Sequence, residues 1–247
     1  MSATPPFWAT SQNIDIGDHI SRKIFGLSVE LDIVWSTLIA GVIVVGLGLY
    51  VARRATSGVP GKAQLFFETV VDQVQQLVES TVGPAGVKIV PLAVTLFLFI
   101  LTANWLEVIP SSPAGTKELL PSPTGNVNLT YAMAVIVIVI VHVASIRTRG
   151  LKGYVKHYFQ PFPVFFPINV IEEVTKPITL ALRLFGNLFA GTLMLLLIAA
   201  LLPVFIVPFA DVAWKLFDMF IGFIQAFIFA LLTIVYYGMA TTVDADH

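Results

Sequence analysis

Cysteine is absent from this 247-residue sequence, and only 12% of the residues are charged. The first absence excludes disulfides and thiolate metal sites. The second excludes an ordinary water-soluble domain, which is about 25% charged and about 45–50% apolar. This chain is 57% hydrophobic. It cannot coat a globule with polar surface, so the membrane class follows before any motif is read. A basic surplus is missing too: 14 Lys and Arg stand against 15 Asp and Glu, a formal net charge of −1. Nothing remains to neutralise phosphates, so nucleic acid is not an expected partner. The four histidines (His19, His142, His157 and His247) lie far apart and lack metal-ligand spacing, so no metal and no cofactor are expected. No Gly-rich stretch ends in Lys-Ser or Lys-Thr, so no nucleotide-cradling loop is present. Residues 1–32 are mixed and polar, and no basic start leads into a short apolar stretch. They read as an extracytoplasmic segment before a retained span, not as a signal peptide.

What the chain has instead is long apolar runs, with a mean hydropathy of +0.87. Residues 34–52 include VWSTLIAGVIVVGLGLYV, 18 residues without a charge, about enough to cross a ~30 Å hydrocarbon core as a helix. Arg53 and Arg54 follow. Residues 62–82 differ. Phe66, Val70, Val74, Leu77 and Val78 recur at helical spacing, with Glu68, Asp72, Gln75 and Glu79 on another face, which reads as an amphipathic helix on a membrane surface. Residues 89–110 form a second span, with Asn104 and Glu107 one helical turn apart near its far end. A Pro/Gly/Ser-rich loop follows, and residues 127–146 are a third span. Its Val and Ile favour strands in water, but lipid demands internal backbone bonding and so helix. A basic stretch comes next: Arg147, Arg149, Lys152, Lys156 and His157.

Residues 168–240 hold two apolar stretches broken near Pro203 and Pro208. As helices each is roughly 50 Å long, well beyond a perpendicular crossing, so they must tilt, bend or lie partly in the membrane plane. The expected fold is all-α: a single polytopic membrane domain over residues 1–247, with upright spans, one amphipathic surface helix and a long, strongly tilted C-terminal helical hairpin. The loops after spans one and three carry most of the Lys and Arg, while the loop between spans two and three has only Lys117. The positive-inside rule then puts the N-terminus outside and the C-terminus in the cytoplasm.

Arg183 is the most informative residue, because a cation at the centre of an apolar helix costs about 2.5–3.5 kcal/mol on insertion scales. Asn187 shares its face one turn on, and Gly186 and Gly191 allow close approach of another helix. Two readings stand: a functional cation, or a packing residue paired with Glu172 or Glu173. Glu172 shares the face but lies about 16 Å along the axis, which disfavours direct pairing. On the last stretch Asp211 and Lys215 have ion-pair spacing. Asp218 and Gln225 face one way, seven residues apart. Gln225 needs a hydrogen-bond partner, either Arg183 or another interhelical group. Asp218 and Glu107 are candidate proton carriers, since burial disfavours a charged carboxylate. His142 reads as an interfacial residue, and Trp8, Trp35, Trp105 and Trp214 as interface anchors.

These residues carry a resemblance. KPITLALRLFGNLFAGTLM (Lys176–Met194) resembles the signature helix of subunit a of rotary ATP synthases. QAFIFALLTIVYYGMA (Gln225–Ala240) is similar to that family's final helix, and ANWLEVIP (Ala103–Pro110) to its Asn-x-x-acid segment. The resemblance implies a proton-conducting stator of the bacterial and organellar type, with two offset aqueous half-channels against a rotating ring. Its partners would be the ring of c subunits, peripheral-stalk b-type subunits, the other synthase subunits that carry out catalysis, and the lipid bilayer. Arg183 would face the ring carboxylate and separate the half-channels, with Gln225 and Asn187 beside it. Asn104 and Glu107 would line the entry side. Many members carry a glutamate nine residues after the arginine and a histidine seven before the glutamine. Here those positions are Thr192 and Asp218, so Asp218 is expected to act as the entry acid with Thr192 as a polar neighbour. Glu172 and Glu173 would line the exit path. A bacterial plasma membrane is the expected location. A transporter is the competing reading, but no internal repeat is visible; a purely structural membrane subunit is the other.

Overall fold

The computed structural model describes residues 21–24, 27–56, 58–106, 121–159 and 162–241. Most of the N-terminal segment, with Trp8 and His19, lies outside these residues, as do Glu107, Lys117 and His247. The first described element is a small antiparallel ribbon, β1 (Ser21–Ile24) and β2 (Leu27–Glu30), in which Ser21 pairs with Glu30 and Ile24 with Leu27. This ribbon was not foreseen. Everything larger is helical: α1 (Leu31–Arg54), α2 (Lys62–Thr81), α3 (Val90–Leu106), α4 (Val127–His157), α5 (Phe166–Leu201) and α6 (Val207–Thr241). Short 3-10 turns precede α3, α4 and α5. All but α2 are long and apolar enough to cross a membrane.

The apolar residues do not all go inside. Val42 stays 70% exposed and Trp35 64%, and long rows of Leu, Ile and Phe on α5 and α6 do the same. In water such contiguous apolar surface is a liability; against hydrocarbon it is what a helix needs on its outer face. The core forms around α3, which is apolar on every side and the most buried helix. It packs on α6 and α1, while α4 packs on α5 and α6. Ile100, Val137, Leu180, Leu184, Phe229 and Ile234 are fully enclosed there. Ala40 of α1 meets Ala103 and Leu106 of α3, where small side chains bring the two helices together.

Apart from α2, helices consecutive in the chain reverse direction, so one end of the bundle collects the ends of α1, α4 and α6 and the starts of α3 and α5, with the end of α2 beside them. This end also collects most of the cations, among them Arg53, Arg54, Lys62, Lys88, Arg147 and Lys176. Arg149 donates to the Met239 carbonyl at 2.9 Å, tying α4 to α6 there. The opposite end is closed by Asn126. Its side chain caps α4 by accepting from the Asn128 and Leu129 amides, and it donates to Glu30 at the root of the ribbon.

One expectation is corrected. The third apolar run does not give way to a loop after residue 146. The helix continues through the basic stretch to His157, in two pieces joined at Gly150, where φ is +71°. Hydropathy marks where lipid ends, but Arg and Lys are good helix formers, so the helix outlasts the apolar run. Only a residue without Cβ takes the positive φ of the joint at little cost. The loop before α4 is not a solvated surface segment. Its described part is buried: Ser122 is 8% exposed and Thr124 is fully enclosed. Irregular backbone is tolerated at membrane depth only where protein or water satisfies it.

The polar contacts of α2 are local, Gln64 to Glu68 and to Thr56, and Gln75 to Glu79. Its apolar side, with Phe67, Val70, Val74 and Val78, packs against the core, whereas Phe66 is exposed. The last turn meets α6 at Gly238, where an added Cβ would lie 2.8 Å from Val82 Cγ2. Gly238→Leu should therefore force α2 away from α6 and cost about 1–3 kcal/mol, lowering the thermal midpoint of the purified protein in detergent. Gly46→Leu, where a Cβ meets nothing within 4 Å, should leave the midpoint unchanged.

Candidate functional site

The inner face of α5 is Leu180, Leu184, Leu188 and Gly191, all buried. Arg183 lies off that face and is exposed, in a stripe with Gly186, Ala190 and Leu193 at helical spacing. Among the described residues it has no ion pair and no side-chain hydrogen bond. The packing alternative is answered by Lys176, which stands 2.7 Å from Glu173 and 3.6 Å from Glu172. Both carboxylates are thus held by a cation one turn away, and Arg183 is left alone. Lys176 was not singled out from the sequence, although its spacing of three and four from two glutamates is the ion-pair spacing of a helix.

Asn187 is partly buried one turn from Arg183, and its Nδ2 is enclosed without an acceptor among the described residues. A further turn along, Gly191 meets α6. A Cβ there would lie 3.0 Å from Asp218 Oδ1, so the absence of a side chain makes room for this carboxylate against the α5 backbone. Trp214 Nε1 donates to the Gly191 carbonyl at 3.2 Å and pins the crossing. Asp218 is partly buried and has neither ion pair nor hydrogen bond among the described residues. Thr192, beside Gly191, is exposed and bonds back to the Leu188 carbonyl. Asp211 and Lys215, despite their spacing, form no ion pair.

One turn beyond Asp218, Gly222 receives Asn104 of α3. Asn104 Nδ2 donates to the Gly222 carbonyl at 3.0 Å, and its Oδ1 accepts from Thr124 Oγ1 at 2.6 Å. Thr124 also meets Ser122, and Ser122 donates to the Ala103 carbonyl. A buried polar chain thus runs from the loop before α4 through Asn104 to the Asp218 side of α6. Ser122 and Thr124 carried no signal in the sequence, being ordinary residues of a Pro/Gly/Ser-rich loop. Gln225 is buried at 7% exposure and makes no hydrogen bond to Arg183. The expected pair is not formed, because Gln225 faces inward and Arg183 outward.

Towards the basic end, α4, α5 and α6 enclose a cavity of about 600 Å³ lined by His142, Arg149, Tyr158, Glu172, Glu173 and Lys176, among others. His142 is not merely interfacial. Its Nδ1 lies 2.8 Å from the Ile138 carbonyl, which can only accept, so this nitrogen carries the proton. Its Nε2 faces Glu173 Oε1 at 3.7 Å. Tyr158, hydroxyl to hydroxyl with Tyr154 at 2.7 Å, has its acidity suppressed by burial, by that hydrogen bond and by the nearby Glu173 charge. It remains a neutral phenol at any physiological pH. Among the described residues no group of three His, Asp or Glu could hold a metal ion.

Comparison with known proteins identifies the family. The profile of the family described as ATP synthase A chain matches residues 33–238. A protein of Acidothermus cellulolyticus named ATP synthase subunit a is 52% identical over 229 residues, covering 92% of this chain and 83% of that protein. A protein of the same name from Mycobacterium bovis is 45% identical over 95% of this chain and 96% of its own length. One from Bacillus velezensis is 37% identical over 93% and 99%. The chain therefore belongs to the ATP synthase A chain family, and is a membrane subunit of a multi-subunit complex.

Proposed function

We propose that this chain is the proton-conducting stator of a rotary ATP synthase, and that Arg183 divides its proton path. The observation that carries this reading is an unpaired cation on an exposed apolar face. Such a group in hydrocarbon needs a counter-charge, and none comes from the described residues. A carboxylate on a rotating ring of c subunits supplies it. The small residues Gly186 and Ala190 let that ring approach closely. Beside Arg183 the ring carboxylate is held ionised and gives up its proton; elsewhere on the ring it stays neutral against lipid. The positive charge also repels protons and so prevents a direct leak.

The two polar regions lie on opposite sides of Arg183 along α5. Gly191, with Asp218 against it, is 8 residues away in one direction, about 12 Å, and Glu173 is 10 residues away in the other, about 15 Å. This offset supports two half-channels that do not meet. The entry half-channel uses Asp218 as its acid, Asn104 and Thr124 behind it, and Thr192, Asn187 and Gln225 as polar neighbours. Glu107 joins that side. The exit half-channel is the cavity at the basic end, with Glu173, Glu172 and His142. Each proton that crosses releases about 2.3 kcal/mol per 100 mV, which drives rotation and ATP formation in partner subunits.

By the positive-inside rule the cations support a basic end in the cytoplasm of a bacterial cell, with the N-terminus outside. Residues 1–247 act as a single membrane domain. The amphipathic α2 lies at the cytoplasmic membrane surface, held by its apolar side. Helices α5 and α6, of 36 and 35 residues, are each more than about 50 Å long. They tilt to fit the bilayer and lie along the flank of the ring, with peripheral-stalk b-type subunits holding the stator in place.

Three variants test this in vesicles containing the assembled complex. Arg183→Ala should abolish ATP-driven proton pumping without loss of assembly; normal pumping would reduce Arg183 to a packing residue. Asp218→Asn should slow pumping by about a hundredfold, the typical contribution of a proton-transfer group, and an unchanged rate would remove Asp218 from the path. Glu173→Gln should slow pumping several-fold more than Glu172→Gln. The more exposed Glu172 contributes only a solvated ion pair of about 0–1 kcal/mol. Equal effects of the two would show that the cavity does not route protons past His142.

A further inference from the structure

A groove of about 460 Å³ on the outer side of the basic end plays no part in the proposed proton path. It runs between the start of α3 (Lys88, Ile89, Leu92) and the second half of α4 (Val139, Ile140, Val143, Arg147), with Tyr237 of α6 behind. Its lining contains no acid. Lys88 and Arg147 are exposed and form no ion pair among the described residues. Tyr237 is nine-tenths buried, yet its phenolic hydroxyl donates to no group among the described residues. The site thus offers two free cations and one unused donor above a set of apolar walls.

The vertical order of these groups identifies what fits. Arg147 follows the start of α4 at Val127 by 20 residues, about 30 Å of helix, which is the thickness of the hydrocarbon layer. The cations therefore sit where lipid headgroups sit. Val143 and Val139 lie one and two turns deeper, where acyl chains sit. A free inorganic anion has no use for those walls, and a wholly apolar occupant has none for the cations. We infer that this groove binds one anionic phospholipid, its phosphate held by Arg147 and Lys88 and its upper acyl chain along Ile89, Leu92, Ile140 and Val143. Arg147 grips two phosphate oxygens at once, as a planar guanidinium can, and Lys88 acts as a point charge. Basic pockets between membrane helices at the cytoplasmic side are the general setting for such recognition. The lipid would stiffen the joint between α3 and α4 beside the exit cavity.

The test is native mass spectrometry of the intact complex, delipidated and then titrated with phosphatidylglycerol or with phosphatidylcholine. Each membrane-surface cation is worth about fivefold in binding to anionic lipid. The double variant Lys88→Gln/Arg147→Gln should therefore hold phosphatidylglycerol about thirtyfold more weakly than the unaltered complex. Lys152→Gln/Lys156→Gln, which removes the same charge further along α4, should have a much smaller effect. Val143→Trp keeps both cations but fills the groove, and should also weaken binding. Equal losses in the two charge variants would mean general surface attraction and overturn the site. Full competition by inorganic phosphate would make it an anion site without a lipid. A photoreactive residue at Val143 should cross-link to phospholipid; cross-linking to another polypeptide would assign the groove to a partner helix instead.

Discussion

A charge inside hydrocarbon has to be answered by another charge, by water or by a polar wall, because the bilayer core offers none of these itself. In this chain several ionisable groups near the membrane interior are answered locally. Glu172 and Glu173 share Lys176, His142 faces Glu173, and Arg149 reaches the end of α6. Arg183 is answered by nothing among the described residues. The rest of the arrangement can be understood as making that position tolerable and useful. The apolar inner face of α5 holds the helix against α4 and α6, which leaves its outer face free. Small residues on that face leave open space beside the cation.

Close approach recurs as the means by which polar groups are carried through an apolar bundle. At Gly191 and Gly222 an α-helix backbone lies close against a polar side chain from a neighbour, Asp218 in one case and Asn104 in the other. A methyl group at either would crowd that side chain by a few tenths of an ångström. Trp214 and Trp105 brace the same crossings through their indole N–H groups, so these tryptophans are structural pins on α6 as well as lipid-facing aromatics. The loop ahead of α4 adds hydroxyls to the chain that begins at Asn104. The result is a polar thread through a dry core, satisfied step by step, as buried polar groups must be. Asp218, like the Asn187 amide, is left with unused capacity among the described residues.

The elements were legible where one kind of force decides. Five apolar runs became five long helices, because lipid leaves the backbone no alternative to bonding within the segment. The amphipathic pattern of residues 62–82 became α2 for the same periodic reason. Arg183 could be singled out from its neighbours alone, since its cost is paid whatever the fold. Where two tendencies compete, the reading failed. The end of α4 was set by helix propensity in Arg147 to His157, not by hydropathy, and the break fell at Gly150. His142 looked like an interfacial residue because its partner, Glu173, is 31 positions away.

Composition and periodicity by themselves thus determined that the chain is helical, that it belongs in a membrane, which end is basic, and that one cation is out of place. Local physics is enough for each of these, since hydropathy, helical spacing and the cost of charge act within a single segment. Tertiary structure alone decided which polar groups meet: Lys176 rather than Arg183 for the glutamates, Thr124 and Gly222 for Asn104, and an inward turn for Gln225. Those outcomes depend on the rotation and crossing of whole helices, which the packing of the entire bundle fixes and no single run of residues encodes.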